Sequence, residues 1–135
     1  MALLVPNVGE VVMLEALLNK TAPEDLVLRL YSNDKTPADG DVAGDYTEMT
    51  GFGYVAKTLV GSGWTVTPGN PSYGLYAKQT YTFSGAAGNC YGYYLTQLTS
   101  GILMWAERFP GSPYNVQQSG DKIEVTPRLE GQTAP

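Results

Sequence analysis

The sequence predicts a mainly β protein, an antiparallel β-sandwich of the jelly-roll or immunoglobulin-like kind with one N-terminal α-helix. The 135 residues include 16 Gly, 9 Pro and 10 Tyr, and only 16% are charged, a composition typical of chains rich in turns and strands. Short apolar runs follow one another closely, separated by Gly, Pro, Asn and Ser, as in sandwiches. One run near the N-terminus has helical spacing instead. At this length we expect one domain with one core.

The helix is predicted over residues 8–19. Asn7 can cap it, Glu10 three residues later completes a capping-box pattern, and Pro6 stops extension backwards. With about 100° between successive residues, one broad arc of the helix is apolar. This arc contains Val11, Met13, Leu14, Leu17 and Leu18. We expect it to lie against the body of the protein.

Residues 1–7 are predicted to form an apolar N-terminal arm. The arm has no partner in its sequence neighbourhood, so it is either disordered or held on another surface. The single sandwich domain is expected to cover residues 8–130, and residues 131–135 are expected to form a flexible tail.

The first strand is predicted over residues 25–32, where alternation places Leu26, Leu28 and Leu30 on one buried face. Residues 33–45 are dense in turn formers and charge and are expected to form an exposed loop. Further strands are predicted at 46–49, 53–60, 63–67, 75–83, 90–98, 102–109 and 122–129.

The hairpin of segments 90–98 and 102–109 is apolar on both faces. A second sheet on one face and the N-terminal helix on the other would cover it. Alternatively, part of its ring-bearing surface is a subunit interface, where Tyr and Trp are enriched. The two arrangements are compatible. The candidate interface residues in this hairpin are Tyr91, Tyr93, Trp105 and Phe109.

Few residues have the chemistry of an enzyme. The chain has no histidine, so an imidazole-based triad and a histidine metal site are excluded. The single cysteine, Cys90, has no basic neighbour in sequence that would stabilise a thiolate. We therefore expect no enzymatic activity, no catalytic residues, no metal and no cofactor.

Nucleic acid and membrane partners are not expected either. The net charge of −5 opposes binding to phosphate backbones. The apolar run from Val11 to Leu18 is far shorter than the roughly 20 residues that cross a bilayer.

Several weaker patterns favour ordinary structural roles. Four aspartates in the loop lack EF-hand spacing, which indicates a solvated loop rather than a calcium site. The segment Gly51–Ala56 matches GxGxxA, but a strand and a turn follow where a dinucleotide site needs a helix. The aspartates are Asp34, Asp39, Asp41 and Asp45.

Two patterns leave sugar chemistry open as an alternative. Glu107 could pair with Glu124 or Asp121 as the two carboxylates of a glycoside hydrolase, since their separation depends on the tertiary structure. Aromatic side chains around residues 68–71 could stack on sugars or serve ordinary packing. They are Trp64, Tyr73 and Tyr76.

The order of segments resembles small virion structural proteins of tailed bacteriophages. The likeness runs from about Val5 to Gly131 and is most similar to head-decoration, or cement, proteins, with a tail or fibre component as the nearest alternative. It rests on the segments LVPNVGEVVMLEALLNK, LVLRLYSNDKTPADGD, YTEMTGFGYVAKTL, KQTYTFSG, NCYGYYL, SGILMWAERF and IEVTPRLEG.

The resemblance implies a non-enzymatic protein made in the host cytoplasm and carried on the capsid surface of the virion. It implies contacts with the major capsid protein and a homo-oligomer, most often a trimer, in which the N-terminal arm orders against a neighbouring subunit. The interface residues expected in the arm are Met1, Leu3, Leu4, Val5 and Pro6. A carbohydrate-binding host-attachment module on the same sandwich is the remaining alternative.

Overall fold

The fold is mainly β and antiparallel, as predicted, and a computed structural model describes it for residues 3–131. Helix α1 spans Asn7–Leu17. It is followed in the described residues by strands β1 (Leu26–Tyr31), β2 (Lys57–Leu59), β3 (Thr65–Thr67), β4 (Tyr73–Leu75), β5 (Gln79–Thr82), β6 (Gly88–Cys90), β7 (Gly92–Gln97), β8 (Leu103–Arg108), β9 (Tyr114–Val116), β10 (Lys122–Val125) and β11 (Arg128–Glu130).

A four-stranded sheet with the order β2-β1-β7-β8 lies at the centre of the molecule. Three smaller antiparallel sheets, β10-β5, β11-β4-β3 and β6-β9, supply the opposing layer of a sandwich-like arrangement. All six residues of β7 are buried. A strand covered on both faces can be apolar throughout, which explains the two-sided hairpin in the sequence.

Two hydrophobic clusters cover the two faces of the central sheet. Alternate residues of a strand point to opposite faces, so Tyr93 and Leu95 enter the larger cluster and Tyr94 enters the smaller one. In the larger cluster the small sheets contribute Tyr81 and Ile123, among others. The second-sheet cover predicted for this hairpin is therefore present.

Tyrosine rings form the centre of the smaller cluster. The ring of Tyr46 lies edge-on to Tyr31, with centroids 4.9 Å apart, and stacks on Tyr94 at 5.1 Å. Such pairs add to the stabilisation from buried area. Val8 of α1 and Ala43 of the 33–46 segment pack against this cluster. The helix therefore covers only part of this face, and the loop covers the rest.

The 33–45 segment was predicted to be an exposed loop, and for Asp41 this is wrong. Its side chain is 5% exposed and accepts hydrogen bonds from Lys35 Nζ (2.7 Å), Ala38 N–H (2.9 Å) and the Tyr46 hydroxyl (2.8 Å). Burial alone would raise the pKa of Asp41, but these hydrogen bonds outweigh it and hold the pKa below its ordinary value. The carboxylate thus holds the loop over the tyrosine cluster.

A β-bulge interrupts the alternation of side chains along β8. Trp105 lies opposite Leu95 and Leu103 lies opposite Thr96, which leaves Met104 as the extra residue. Met104 and Trp105 consequently share the larger cluster, and Leu103 belongs to the smaller one. Regular alternation along the strand would place Met104 and Trp105 on opposite faces, but one inserted residue reverses the side-chain direction.

Some predicted strand boundaries were also wrong. Residues 46–49 make only an isolated bridge, from Glu48 to Tyr31, and the strand β9 was not predicted. The segments 75–83, 90–98 and 122–129 each overlap two separate strands. At residues 90–92 the chain crosses between layers, because Cys90 pairs with Tyr114 of β9 while Gly92 pairs with Arg108 of β8.

The N-terminal segment is held against the protein's own body. Leu4 exchanges two backbone hydrogen bonds of 3.0 Å with Ala106, so the segment pairs with the edge of the sheet at β8. Leu3 and Val5 pack against the larger cluster, and Pro6 is fully buried. Within the described residues, this segment therefore has a partner in its own chain.

The helix begins one residue earlier than predicted and ends two residues earlier. Pro6 occupies the N-cap, and no side chain caps the helix there. Asn7 is exposed in the first turn, and its backbone N–H donates to the Asp39 carbonyl at 2.9 Å. The predicted capping box is therefore absent, and a loop carbonyl takes over part of its role.

Gly9 determines how closely α1 approaches the sheet. A methyl group at this position would lie 2.5 Å from the Met104 carbonyl oxygen and 3.0 Å from that of Leu103. The helix backbone thus rests directly on β8. The side chains that flank this contact, Val8 and Val12, are half-buried.

We expect Gly9→Ala to destabilise the fold by about 1–3 kcal/mol, the usual range for overpacking. Its added methyl group must push α1 away from two backbone carbonyls that cannot move independently. Denaturant unfolding measures the change. Gly40→Ala is the control, because nothing lies within 4 Å of a methyl group at Gly40. Equal stability of the two variants would contradict the close contact.

We expect Asp41→Asn to lower the free energy of unfolding at pH 7 by about 2 kcal/mol, as expected for hydrogen bonds to a charged group. Because the pKa of Asp41 is lower in the folded state, its contribution is complete above the ordinary aspartate pKa of about 3.9. It is lost as the pH falls through the folded-state value. The difference from the wild type should therefore shrink towards pH 3. The exposed neighbour Asp39 provides the control variant Asp39→Asn, and parallel pH profiles for all three proteins would contradict the prediction.

Candidate interaction surface

The apolar arc of α1 faces away from the sheet, so the predicted burial of this arc is wrong. Its side chains are exposed by 53% (Val11), 42% (Met13), 57% (Leu14), 81% (Leu17) and 72% (Leu18). We call these five residues the α1 crest. The apolar arc of a surface helix normally faces the core. Here the protein's own chain covers only the face that carries Gly9 and Val12.

An apolar groove flanks the α1 crest on each side. One groove, of about 480 Å³, runs between Val11 and the exposed side chains of Val42 and Ile102. The other, of about 470 Å³, runs between Met13 and the exposed Val66, with Trp64 in its wall. Together with the helix they form one extended apolar surface. Large exposed apolar patches on soluble proteins mark interaction sites.

Three charged residues of the helix region, Glu10, Glu15 and Lys20, lie around the α1 crest. Glu10 precedes most of the crest and Lys20 follows it, and both are exposed. Within residues 3–131 neither of them forms an ion pair. Glu15 is engaged locally, because it accepts a hydrogen bond of 2.7 Å from the Thr21 hydroxyl. The helix therefore places two carboxylates, Glu10 and Glu15, and one ammonium group, Lys20, around this surface, and none of the three forms an ion pair within residues 3–131.

Of the four aromatic residues predicted at an interface, two are buried in the core and two are half-buried. Tyr93 and Trp105 are 4% and 2% exposed and belong to the core, so in this structure they offer no surface to a partner. Tyr91 is half-buried beneath the Arg108 guanidinium, 5.1 Å from its ring centroid. Half-buried Phe109 stacks on Tyr114 at 5.0 Å.

The arm residues predicted at an interface are Met1, Leu3, Leu4, Val5 and Pro6. Met1 lies outside the described residues. Pro6 is buried, and the other three are half-buried against the chain's own body. Deleting residues 1–6 would therefore remove core contacts, so this truncation does not test binding separately from folding.

The candidate chemical groups are each engaged within the chain. Burial raises the pKa of the Cys90 thiol to about 12, which disfavours the reactive thiolate. The Tyr93 hydroxyl donates to Glu107 Oε1 at 2.9 Å. Glu124 pairs with Lys78 at 2.6 Å, and Asp121 accepts the Gln117 backbone N–H at 2.9 Å.

The acidic loop and the glycine pattern have structural roles. Asp34 pairs with Arg108 at 2.6 Å and Asp41 with Lys35 at 2.7 Å. Residues 3–131 contain no group of three or more acidic, Cys or His side chains that could hold a metal. Gly51 and Gly53 have positive φ angles in a turn before the strand β2. A helix, which nucleotide binding through this pattern requires, does not follow.

The three aromatic residues considered for sugar stacking do not form a flat exposed platform. Trp64 meets Tyr76 edge-on, with centroids 5.2 Å apart and planes at 67°. The Arg128 guanidinium lies over the ring of Tyr73, 4.0 Å from its centroid. All three rings are half-buried.

Comparison with known proteins finds no matching family model, no curated protein with significant sequence similarity and no solved structure with significant similarity. Across residues 3–131, no helix has the length and hydrophobicity that crossing a bilayer requires.

We expect Leu17→Gln to change the free energy of unfolding by less than about 0.5 kcal/mol, because substitutions at exposed positions rarely do more. Val12→Gln, on the opposite face of the same helix, should destabilise by at least about 1 kcal/mol, since its side chain packs on the larger cluster. Chemical denaturation at low protein concentration measures both variants. A large loss for Leu17→Gln alone would show that the crest is buried in the monomer.

Proposed function

We propose that this protein is a non-enzymatic structural component of a phage particle, a head-decoration protein that stabilises the capsid lattice through protein–protein contacts. The observation that carries the proposal is the α1 crest, a row of large apolar side chains that the chain itself leaves exposed. Exposed apolar area of this kind is stabilised when another protein surface covers it.

The engagement of the candidate chemical groups favours a structural role over catalysis. Glu107, Glu124 and Asp121 each have a hydrogen-bond or ion-pair partner in the chain, and Cys90 is buried. These contacts account for the three carboxylates without a catalytic role. A protein that strengthens a shell needs contact area, and many copies on one lattice make weak contacts effective through avidity.

The resemblance of the chain to virion proteins of tailed phages directs the proposal to the particle, with the major capsid protein as partner. A tail or fibre component would use the same kind of surface, so its position on the virion distinguishes the two. The edge-on contact of Trp64 with Tyr76 and the guanidinium over Tyr73 argue against the alternative of a sugar-binding module, because these rings do not form a flat stacking platform.

Imaging of intact particles by cryo-electron microscopy tests the proposal. We expect density for this chain on the outer surface of the head. The double variant Leu14→Gln, Leu17→Gln should lower its occupancy at least about tenfold, since avidity multiplies the loss at each contact. Val55→Gln is the matched control, because Val55 is 69% exposed and lies near β2, at the edge of the central sheet opposite to β8.

Density on the tail would replace the head assignment with the tail alternative. Absence of the chain from purified particles would contradict the proposal altogether. Binding of the purified protein to a glycan array, lost on replacement of Trp64, would favour the sugar-binding module instead.

A further inference from the structure

We propose that a second copy of this chain covers the α1 crest, with the two α1 helices packed antiparallel across a two-fold axis. This inference rests on the proposed function in that it takes the crest as a protein contact; it assigns the crest to the contact between two copies, which raises the valency of the pair for the major capsid protein. The pair would be the unit that binds the lattice.

Two of the charges at the rim of the crest, those of Glu10 and Lys20, are self-complementary in this arrangement. Glu10 lies near the N-terminal end of α1 and Lys20 lies just beyond its C-terminal end. An antiparallel partner brings its Lys20 near Glu10, and the two-fold axis repeats this contact at the other end. Neither residue has an ion-pair partner within residues 3–131. A parallel arrangement would instead place like charges together, which is unfavourable.

The uncharged crest is also where two copies of an acidic protein can approach. With a net charge of −5, two copies repel each other over most of their surfaces. The five crest residues carry no charge, and antiparallel helices align their macrodipoles favourably. A self-contact is therefore less opposed at this face than at the acidic surfaces elsewhere.

A stable pair requires contacts beyond α1 itself. Standard interfaces take about 20–30 residues from each partner, more than the 11 residues of α1 provide. The apolar walls that flank the crest, with Val42 and Ile102 on one side and Val66 on the other, extend the contact area. A two-fold interface uses the same patch on both copies, so each exposed crest residue becomes buried in both copies.

Charge reversal combined with sedimentation equilibrium tests the arrangement on the full chain. We expect the wild type to be a dimer at micromolar concentration. Glu10→Lys and Lys20→Glu should each raise the dissociation constant about tenfold at low salt, the effect of opposing like charges at two symmetric contacts. The double variant Glu10→Lys, Lys20→Glu should return to within about threefold of the wild type, because both ion pairs are restored in reverse.

Further variants separate weakened association from misfolding. Leu17→Gln should give a monomer with an unchanged circular dichroism spectrum, while Val55→Gln should remain a dimer. A wild-type monomer at about 100 µM, a trimer, or a dimer that Leu17→Gln leaves intact would overturn the inference. A double charge variant as weak as either single variant would overturn the antiparallel packing.

Failure of this inference is distinguishable from failure of the proposed function. A monomeric protein that still decorates phage heads would overturn the two-fold pair and leave the function standing. A dimer that is absent from purified particles would overturn the function and leave the pair standing. Solution mass and particle density are measured independently, so each result decides one claim.

Discussion

The close approach of Gly9 to the carbonyl oxygens of β8 determines which face of α1 points towards solvent. The missing side chain lets the helix backbone rest on the strand, so α1 is attached through its smallest residue and through Val8 and Val12. Bulky residues on that face would hold the helix farther away. Because the inner contact needs little volume, the large apolar residues of the helix lie on its outer side.

The central sheet needs cover on both faces, and it obtains the two covers by different means. On one face, strands of the small sheets build an ordinary apolar layer against β7. On the other, an irregular loop lies over three tyrosines, held by Asp41 and the groups that donate to it. A loop can replace a sheet here because its buried polar atoms have partners. The backbone N–H of Asn7, the first residue of the helix, also donates a hydrogen bond to the Asp39 carbonyl in this loop.

The proposed assembly follows from these intrachain contacts. The N-terminal segment and the aromatic hairpin make most of their contacts within the monomer. Leu4 pairs with Ala106, and Tyr93 and Trp105 are buried. The outer side of α1 and its flanking grooves, by contrast, are apolar and exposed. Self-association through this side would double the valency of the protein for a repeating lattice, where valency raises occupancy more than single-site affinity does.

The sequence by itself determined the fold class, the helix and the main strands, because these depend on local periodicity and turn residues. It also identified the residues of the α1 crest as an apolar arc. Tertiary structure decided which way that arc faces, since Gly9, a small residue with little hydrophobic signal, makes the contact with β8. It likewise decided the bulge at Met104 and the burial of Asp41. Side-chain direction and burial depend on neighbours that are distant in sequence. Local sequence patterns do not specify these neighbours.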